Sequence, residues 1–150
     1  MATVTIKRSI PVLATPTQVF AAITDWPQQH RWMLGTSVTA GKHQGRALSG
    51  TIIALTRLGP FGFRDPMTIT EWEPPYRCGV MHTGRIVRGT GLFEVQPMPN
   101  KPEQSNFVWS EVTTLPFGVV GRLGWVLAAP FVNMAIDYSL RRFKRWVEKN

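Results

Sequence analysis

The sequence predicts an α+β domain: a seven-stranded antiparallel sheet with two short helices after its first strand and a long helix at its C-terminus. Three observations carry this. Six stretches between Thr36 and Leu115 alternate β-branched or aromatic residues with polar ones, and only a few residues separate them, as antiparallel neighbours require. Thr3 to Ile10 alternates in the same way, and the last quarter shows a helical apolar stripe. The 150 residues are one ordinary domain, 1–150, long enough to bury roughly two-thirds of the unfolded surface without staples.

In the first strand Val4 and Ile6 alternate with Thr3, Thr5 and Lys7, and Pro11 should end it. ATPTQVFAAITDWPQQHRWM follows. Thr15 is a good N-cap with Pro16 at the first helical position, and Val19, Phe20 and Ile23 share a face. Thr24 or Asp25 restarts a second short helix with Pro27 near its first turn. Trp26, Trp32 and Met33 are bulkier than two short helices need for their own packing, so they should insert into something else. The remaining strands read SVTAG, ALSGTIIALTRLG, GFRDPMTITEWEP, YRCGVMHTG, RGTGLFEVQP and SNFVWSEVTTL, with HQGR, RLGPFG, EPPY, HTGRIVRG and MPNKPEQ as turns.

The C-terminal helix falls into two halves. Phe117 to Ala129 is apolar nearly all round, whereas beyond Pro130 a stripe appears at Val132, Ile136, Leu140, Phe143 and Val147. The expectation is a helix enclosed on two sides early and on one side late, with Pro130 kinking it or opening a new helix. Leu115 to Ile136 has about the length of a membrane span. Arg122, two prolines, Asn133 and three glycines interrupt it, which favours a buried segment over a span.

The net charge is +8, from 17 Lys and Arg against 9 Asp and Glu. The arginines are scattered, and the one cluster, RRFKRWVEK, ends a helix whose dipole it complements, which argues against a nucleic-acid partner. One cysteine, Cys78, cannot pair within the chain, and no metal-ligand spacing occurs; with an alternating N-terminus unlike a signal peptide, this points to a cytoplasmic protein without metal or cofactor.

The segments PVLATPTQVFAAITDWPQQHRW, TITEWEPPYRCGVMH, GTGLFEVQP, FVWSEV and SLRRFKRWVEK resemble the SRPBCC (START-like) superfamily, specifically bacterial polyketide cyclase/dehydrase-like proteins. The resemblance spans residues 2 to 149. It implies the helix-grip fold, in which a strongly curved sheet wraps the long helix around an apolar cavity. Members bind lipids, sterols, polyketides, hormones or quinones, and a minority catalyse cyclisation or dehydration. The superfamily supplies no universal catalytic motif, so function must be argued from the site.

In YRCGVMH, the more apolar set Tyr76, Cys78, Val80 and His82 alternates with Arg77, Gly79, Met81 and Thr83. In SNFVWSEVT, Phe107, Trp109 and Glu111 share one face and Val108, Ser110 and Val112 the other, and either could be inner. An inner Glu111 would sit in an apolar wall, where desolvation favours its neutral form, with His82 as partner; the alternative is an ion pair with Arg88 or Arg122. Arg85 and Arg88 are turn residues that could hold a carboxylate or phosphate head group. Gly89 and Gly91 mark a bend or a close approach. Trp26, Trp32, Met33, Trp125, Met134 and Tyr138 are the expected lining.

The leading functional expectation is binding of a hydrophobic or amphipathic small molecule between sheet and helix, oriented by His82, Arg85, Arg88 or Glu111. The first rival is an aromatase/cyclase or dehydrase using His82 and Glu111 as acid and base. A second rival makes the basic helix end at Arg141, Arg142 and Arg145, with Trp72 and Trp146 as exposed aromatics, a contact for an anionic membrane or protein partner.

Overall fold

The structure, a computed structural model, describes residues 2–149. Its elements are β1 (Thr3–Val12), α1 (Pro16–Ile23), a 3-10 helix (Trp26–Arg31), β2 (Thr36–Ala40), a 3-10 turn (Lys42–Gly45), β3 (Thr51–Leu58), β4 (Phe61–Glu73), β5 (Arg77–His82), β6 (Gly89–Met98), β7 (Lys101–Thr114) and α2 (Gly118–Glu148). The seven strands form one antiparallel sheet in the order β1-β7-β6-β5-β4-β3-β2. This is the expected α+β, helix-grip architecture.

Local chemistry explains most boundaries. Thr15 Oγ1 accepts from the Gln18 amide while Gln18 Oε1 accepts from the Thr15 amide, a capping box that starts α1. β1 runs through Pro11 to Val12, past the expected stop, because β1 is an edge strand where a missing N–H is tolerated. MPNKPEQ is mostly strand: β6 and β7 leave only Pro99 and Asn100 as the turn, with Asn100 at φ 61. In the HQGR turn, His43, Gln44 and Gly45 all take left-handed conformations. Gly45 is required there, since a Cβ would lie 2.4 Å from Ile52 Cγ2, and its carbonyl accepts from Trp26 Nε1–H at 2.9 Å.

Trp32 lies at the centre of the core. It is fully buried and meets Phe143, Phe107, Trp109 and Phe93 with ring centroids 5.0 to 6.2 Å apart. Trp72 and Trp146, expected to be exposed, are half-buried instead; Trp72 packs edge-on against Phe20 and Trp146 against Phe143.

α2 is continuous through Pro130, and its second half behaves as its stripe requires: Ile136, Leu140, Phe143 and Val147 are buried. Arg8 holds Asp137 through two nitrogens at 2.6 and 3.0 Å, and the Leu13 amide donates to Glu148 at 2.7 Å. From Asp137 to Glu148 the helix rises about 16 Å, as does β1 from Arg8 to Leu13, so helix and strand run together. Followed back at the same rates, β1 ends at Thr3 roughly level with Val126, and everything earlier in α2 overhangs β1. The first half of α2 is therefore not enclosed on two sides, contrary to expectation. Phe117, Val120, Leu123, Val126, Leu127 and Phe131 are each 62 % exposed or more.

Candidate ligand-binding cavity

Between the concave face of the sheet and α2 lies a cavity of about 480 Å³, within the usual range of small-molecule sites. Ile52, Met67, Val80, Phe93, Trp109 and Trp125 supply much of its apolar wall. The polar groups are few, and three of them converge.

His82 is the centre of that group. Both Asp65 carboxylate oxygens lie 2.9 Å from its Nδ1, and Glu111 Oε2 lies 3.0 Å from its Nε2. Glu111 Oε1 accepts from Trp109 Nε1–H at 2.9 Å. Side-chain exposure is 5 % for His82, 10 % for Asp65 and 19 % for Glu111. Carboxylates only accept, so both ring nitrogens must donate, which makes His82 an imidazolium. Burial alone would push its pKa down; the hydrogen bonds to Asp65 and Glu111, and their charges, outweigh burial and raise it to about 9. Two carboxylates against one imidazolium leave the cluster one negative charge.

The backbone brings these residues together across strands that are not all adjacent. Asp65 is on β4, His82 on β5 and Glu111 on β7, with β6 between the last two. Contact across β6 is possible because Gly91 faces Glu111 in the ladder; a Cβ there would meet the Glu111 carboxylate oxygens at 2.9 and 3.0 Å. Gly89, at φ 128, pairs with His82 on its other side. The GTG run is thus the gap through which imidazole and carboxylate reach each other.

The inner faces are Cys78, Val80 and His82 on β5, and Phe107, Trp109 and Glu111 on β7. Tyr76 precedes β5 and is exposed. Glu111 does not pair with Arg88 or Arg122; both arginines are exposed, as is Arg85. None of the three lines the cavity, because β5 ends at His82 and the loop carries Arg85 and Arg88 outward, leaving only Val87 at the wall. Of the expected lining residues, Trp26, Met33 and Trp125 are in the wall. Trp32 is core, sealed by other aromatic rings, while Met134 and Tyr138 lie on the outer side of α2 in a shallow groove with Leu34 and Phe131.

Asp65 is the member of the cluster that the strand pattern alone did not single out. Its signal was available: it stands two residues before Met67, in the period-two register that carries the β4 face inward, and Met67 pairs with His82. Cys78 is a buried thiol whose pKa burial, aided by the Glu71 charge, raises to about 12, so it stays protonated. Among the described residues no three His, Cys, Asp or Glu are placed to hold a metal ion. In the His82 cluster the carboxylates sit on opposite ring nitrogens and share no common point.

The chain matches the family model for polyketide cyclase / dehydrase and lipid transport over residues 1–148. No curated protein matches it. Solved structures share its fold at low identity. The protein TTHA0849 from Thermus thermophilus is 14 % identical, with a TM-score of 0.78 over 96 % of this chain and 97 % of that one. The Zhui aromatase/cyclase from Streptomyces sp. R1128 is 9 % identical, with a TM-score of 0.76 over 99 % and 95 %. DR_A0006 from Deinococcus radiodurans is 15 % identical, with a TM-score of 0.70 over 97 % and 98 %. With the family model covering nearly every residue of this helix-grip domain, the chain belongs to the polyketide cyclase / dehydrase and lipid transport family.

Proposed function

We propose that this protein binds a hydrophobic small molecule between its sheet and α2, and that the molecule's polar end is a hydrogen-bond donor, such as a hydroxyl or phenol. The observation that carries this is the Asp65–His82–Glu111 cluster set in a largely apolar wall. Apolar burial supplies affinity and the cluster supplies orientation. Because both His82 N–H groups are already used, the open hydrogen-bonding capacity is the second lone pairs of the carboxylate oxygens, which accept. The residual negative charge repels a ligand carboxylate or phosphate, and the arginines that would have welcomed one are outside. The expected ligand is therefore neutral or cationic at its polar end, and an anionic head group is disfavoured.

Naphthol and naphthoate make the test, since they share a skeleton and differ in the polar group. Titrated against the protein at neutral pH, naphthol should bind at least about tenfold tighter, since placing like charges together at a buried site costs more than that factor. Equal binding, or tighter binding of naphthoate, would refute the donor assignment. Binding of neither would refute the cavity reading.

A second reading, acid–base catalysis of cyclisation or dehydration on a polyketide-like substrate, is favoured by one specific observation: His82 and Glu111 touch within the same cavity. In a dehydration a carboxylate would take the proton beside the substrate carbonyl, the imidazolium would protonate the departing hydroxyl, and water would leave as the double bond forms. An imidazolium with a pKa raised to about 9 fits the acid role at neutral pH. Its two carboxylate partners argue for binding first, because a substrate hydroxyl must displace one of them to receive the proton.

A further inference from the structure

We infer that the mouth of the cavity docks onto an anionic lipid surface, through the overhanging first half of α2 and the two loops beside it. This goes beyond the ligand reading and stands apart from it.

The strand registers place the relevant parts at one end of the sheet. Leu58 pairs with Phe61 across the β3–β4 hairpin, His82 ends β5 opposite Met67, and Gly89 pairs with Thr113 just before α2 begins. The β3–β4 turn, the β5–β6 loop and the start of α2 are therefore neighbours. Leu58, Val87, Thr113 and Trp125 line the cavity there, and Leu58 is 60 % exposed, which makes this end the mouth. Exposed apolar residues gather at this end in three separate elements: Phe61 in the hairpin, Ile86 in the loop, and Leu123 and Leu127 on α2, the last two on the side of the helix turned away from Trp125 and the cavity. Isolated exposed apolar residues need no explanation, but a group of them drawn from three elements at one end of the molecule does.

Charge decides the occupant. Arg57, Arg64, Arg85, Arg88 and Arg122 stand at this same end, are exposed, and form no side-chain hydrogen bond or ion pair among the described residues. The only acidic residues here are Asp65 and Glu111, both turned into the cavity against His82. The others lie elsewhere: Glu71, Glu73 and Glu94 around Arg77 at the far end, Glu103 beyond the far hairpin, Asp137 on Arg8, Glu148 near the end of α2, and Asp25 between the two short helices. An apolar face studded only with arginines complements anionic lipid head groups over acyl chains. A symmetric pairing of two copies through this face would juxtapose these arginines with no carboxylate to receive them.

The geometry also separates lying on a membrane from crossing one. α2 is long and apolar enough to cross by length and composition. However, from Ile136 onward one face of the helix is committed to the core, and the free part, Gly118 to Phe131, is only about 21 Å long and contains Arg122. It fits an interfacial helix.

Flotation with phosphatidylcholine vesicles, with and without a quarter of phosphatidylglycerol, tests this at physiological salt. The wild-type protein should float with the anionic vesicles and not with phosphatidylcholine alone. A Leu123→Asp/Leu127→Asp variant should lose at least about tenfold in partitioning, since each change removes an interfacial apolar anchor and adds a repelled charge. Neither residue lines the cavity, so that variant should bind naphthol as the wild type does, which keeps this test distinct from that of the ligand reading. Three results would overturn the inference: no flotation of the wild type with anionic vesicles; flotation that survives Leu123→Asp/Leu127→Asp but is lost on charge reversal at Arg141, Arg142 and Arg145; or sedimentation showing a dimer, without vesicle binding, that the same double variant dissociates.

Discussion

Strand β5 holds a cation between carboxylates twice, once on each face of the sheet. On the outer face Arg77 meets Glu71 and Glu94 of the flanking strands at 2.5 and 3.0 Å. On the inner face His82 meets Asp65 and Glu111 at 2.9 and 3.0 Å. The composition of the two clusters is nearly the same, and the solvent is what differs. The Arg77 side chain is 37 % exposed and that of His82 5 %. Water screens the outer charges and replaces any partner that is lost, whereas the inner carboxylates have only the imidazolium as counter-charge. The same arrangement is thus a surface decoration at one place and a charged centre in an apolar cavity at the other.

The largest expected effect comes from removing the inner cation. His82→Ala leaves Asp65 and Glu111 buried with no counter-charge, and breaking a buried pair in this way costs about 3–5 kcal/mol. Urea unfolding of wild type and variant measures it. A cost under about 1 kcal/mol would mean that the inner cluster is as well solvated as the outer one.

Titrating that cation comes next. His82 has its folded pKa raised from 6.5 to about 9 by its two carboxylates, against the opposing effect of burial. A raised folded pKa gives stability that is fully present below 6.5 and is lost as pH climbs through about 9. The difference of about 2.5 pH units, at roughly 1.4 kcal/mol each, amounts to about 3 kcal/mol. Unfolding free energy should fall by this order between those pH values in the wild type, and the fall should be absent in His82→Ala. A His82 ring resonance titrating near 6.5 by NMR would contradict it.

The two faces also differ in how much of them can be read from the sequence. Period-two alternation identifies all seven strands and places His82 with Cys78 and Val80 on one face of β5, because each strand's pattern is local. The partner Asp65 is not found this way because it lies 17 residues and one turn before His82, next to a Pro66 that weakens the strand signal. Glu111 is found, but its contact with His82 depends on the glycine gap at Gly91, which no single strand reveals. The misplaced half of α2 has another cause. Its all-round apolar character reads as burial, and periodicity carries no information on where the sheet stops. The arginines of the β5–β6 loop lie beyond the last paired residue, where alternation ceases to say which way a side chain points.

The smallest effect is expected at Arg77, and it is the sharpest control on the comparison. Arg77→Ala removes a residue with three carboxylates around it, Glu73 at 3.9 Å being the third, and a count of ion pairs would make it more important than His82. Exposure argues the reverse. The three carboxylates regain water when the guanidinium leaves, so the cost should be roughly 1 kcal/mol or less by urea unfolding. Part of that cost should disappear in molar salt, where the screening length falls to about 3 Å. The His82→Ala cost should change little under the same conditions, since salt does not enter the cluster. Equal salt sensitivity at the two sites would show that solvent reaches the cavity wall and that the inner cluster has no special hold on a ligand.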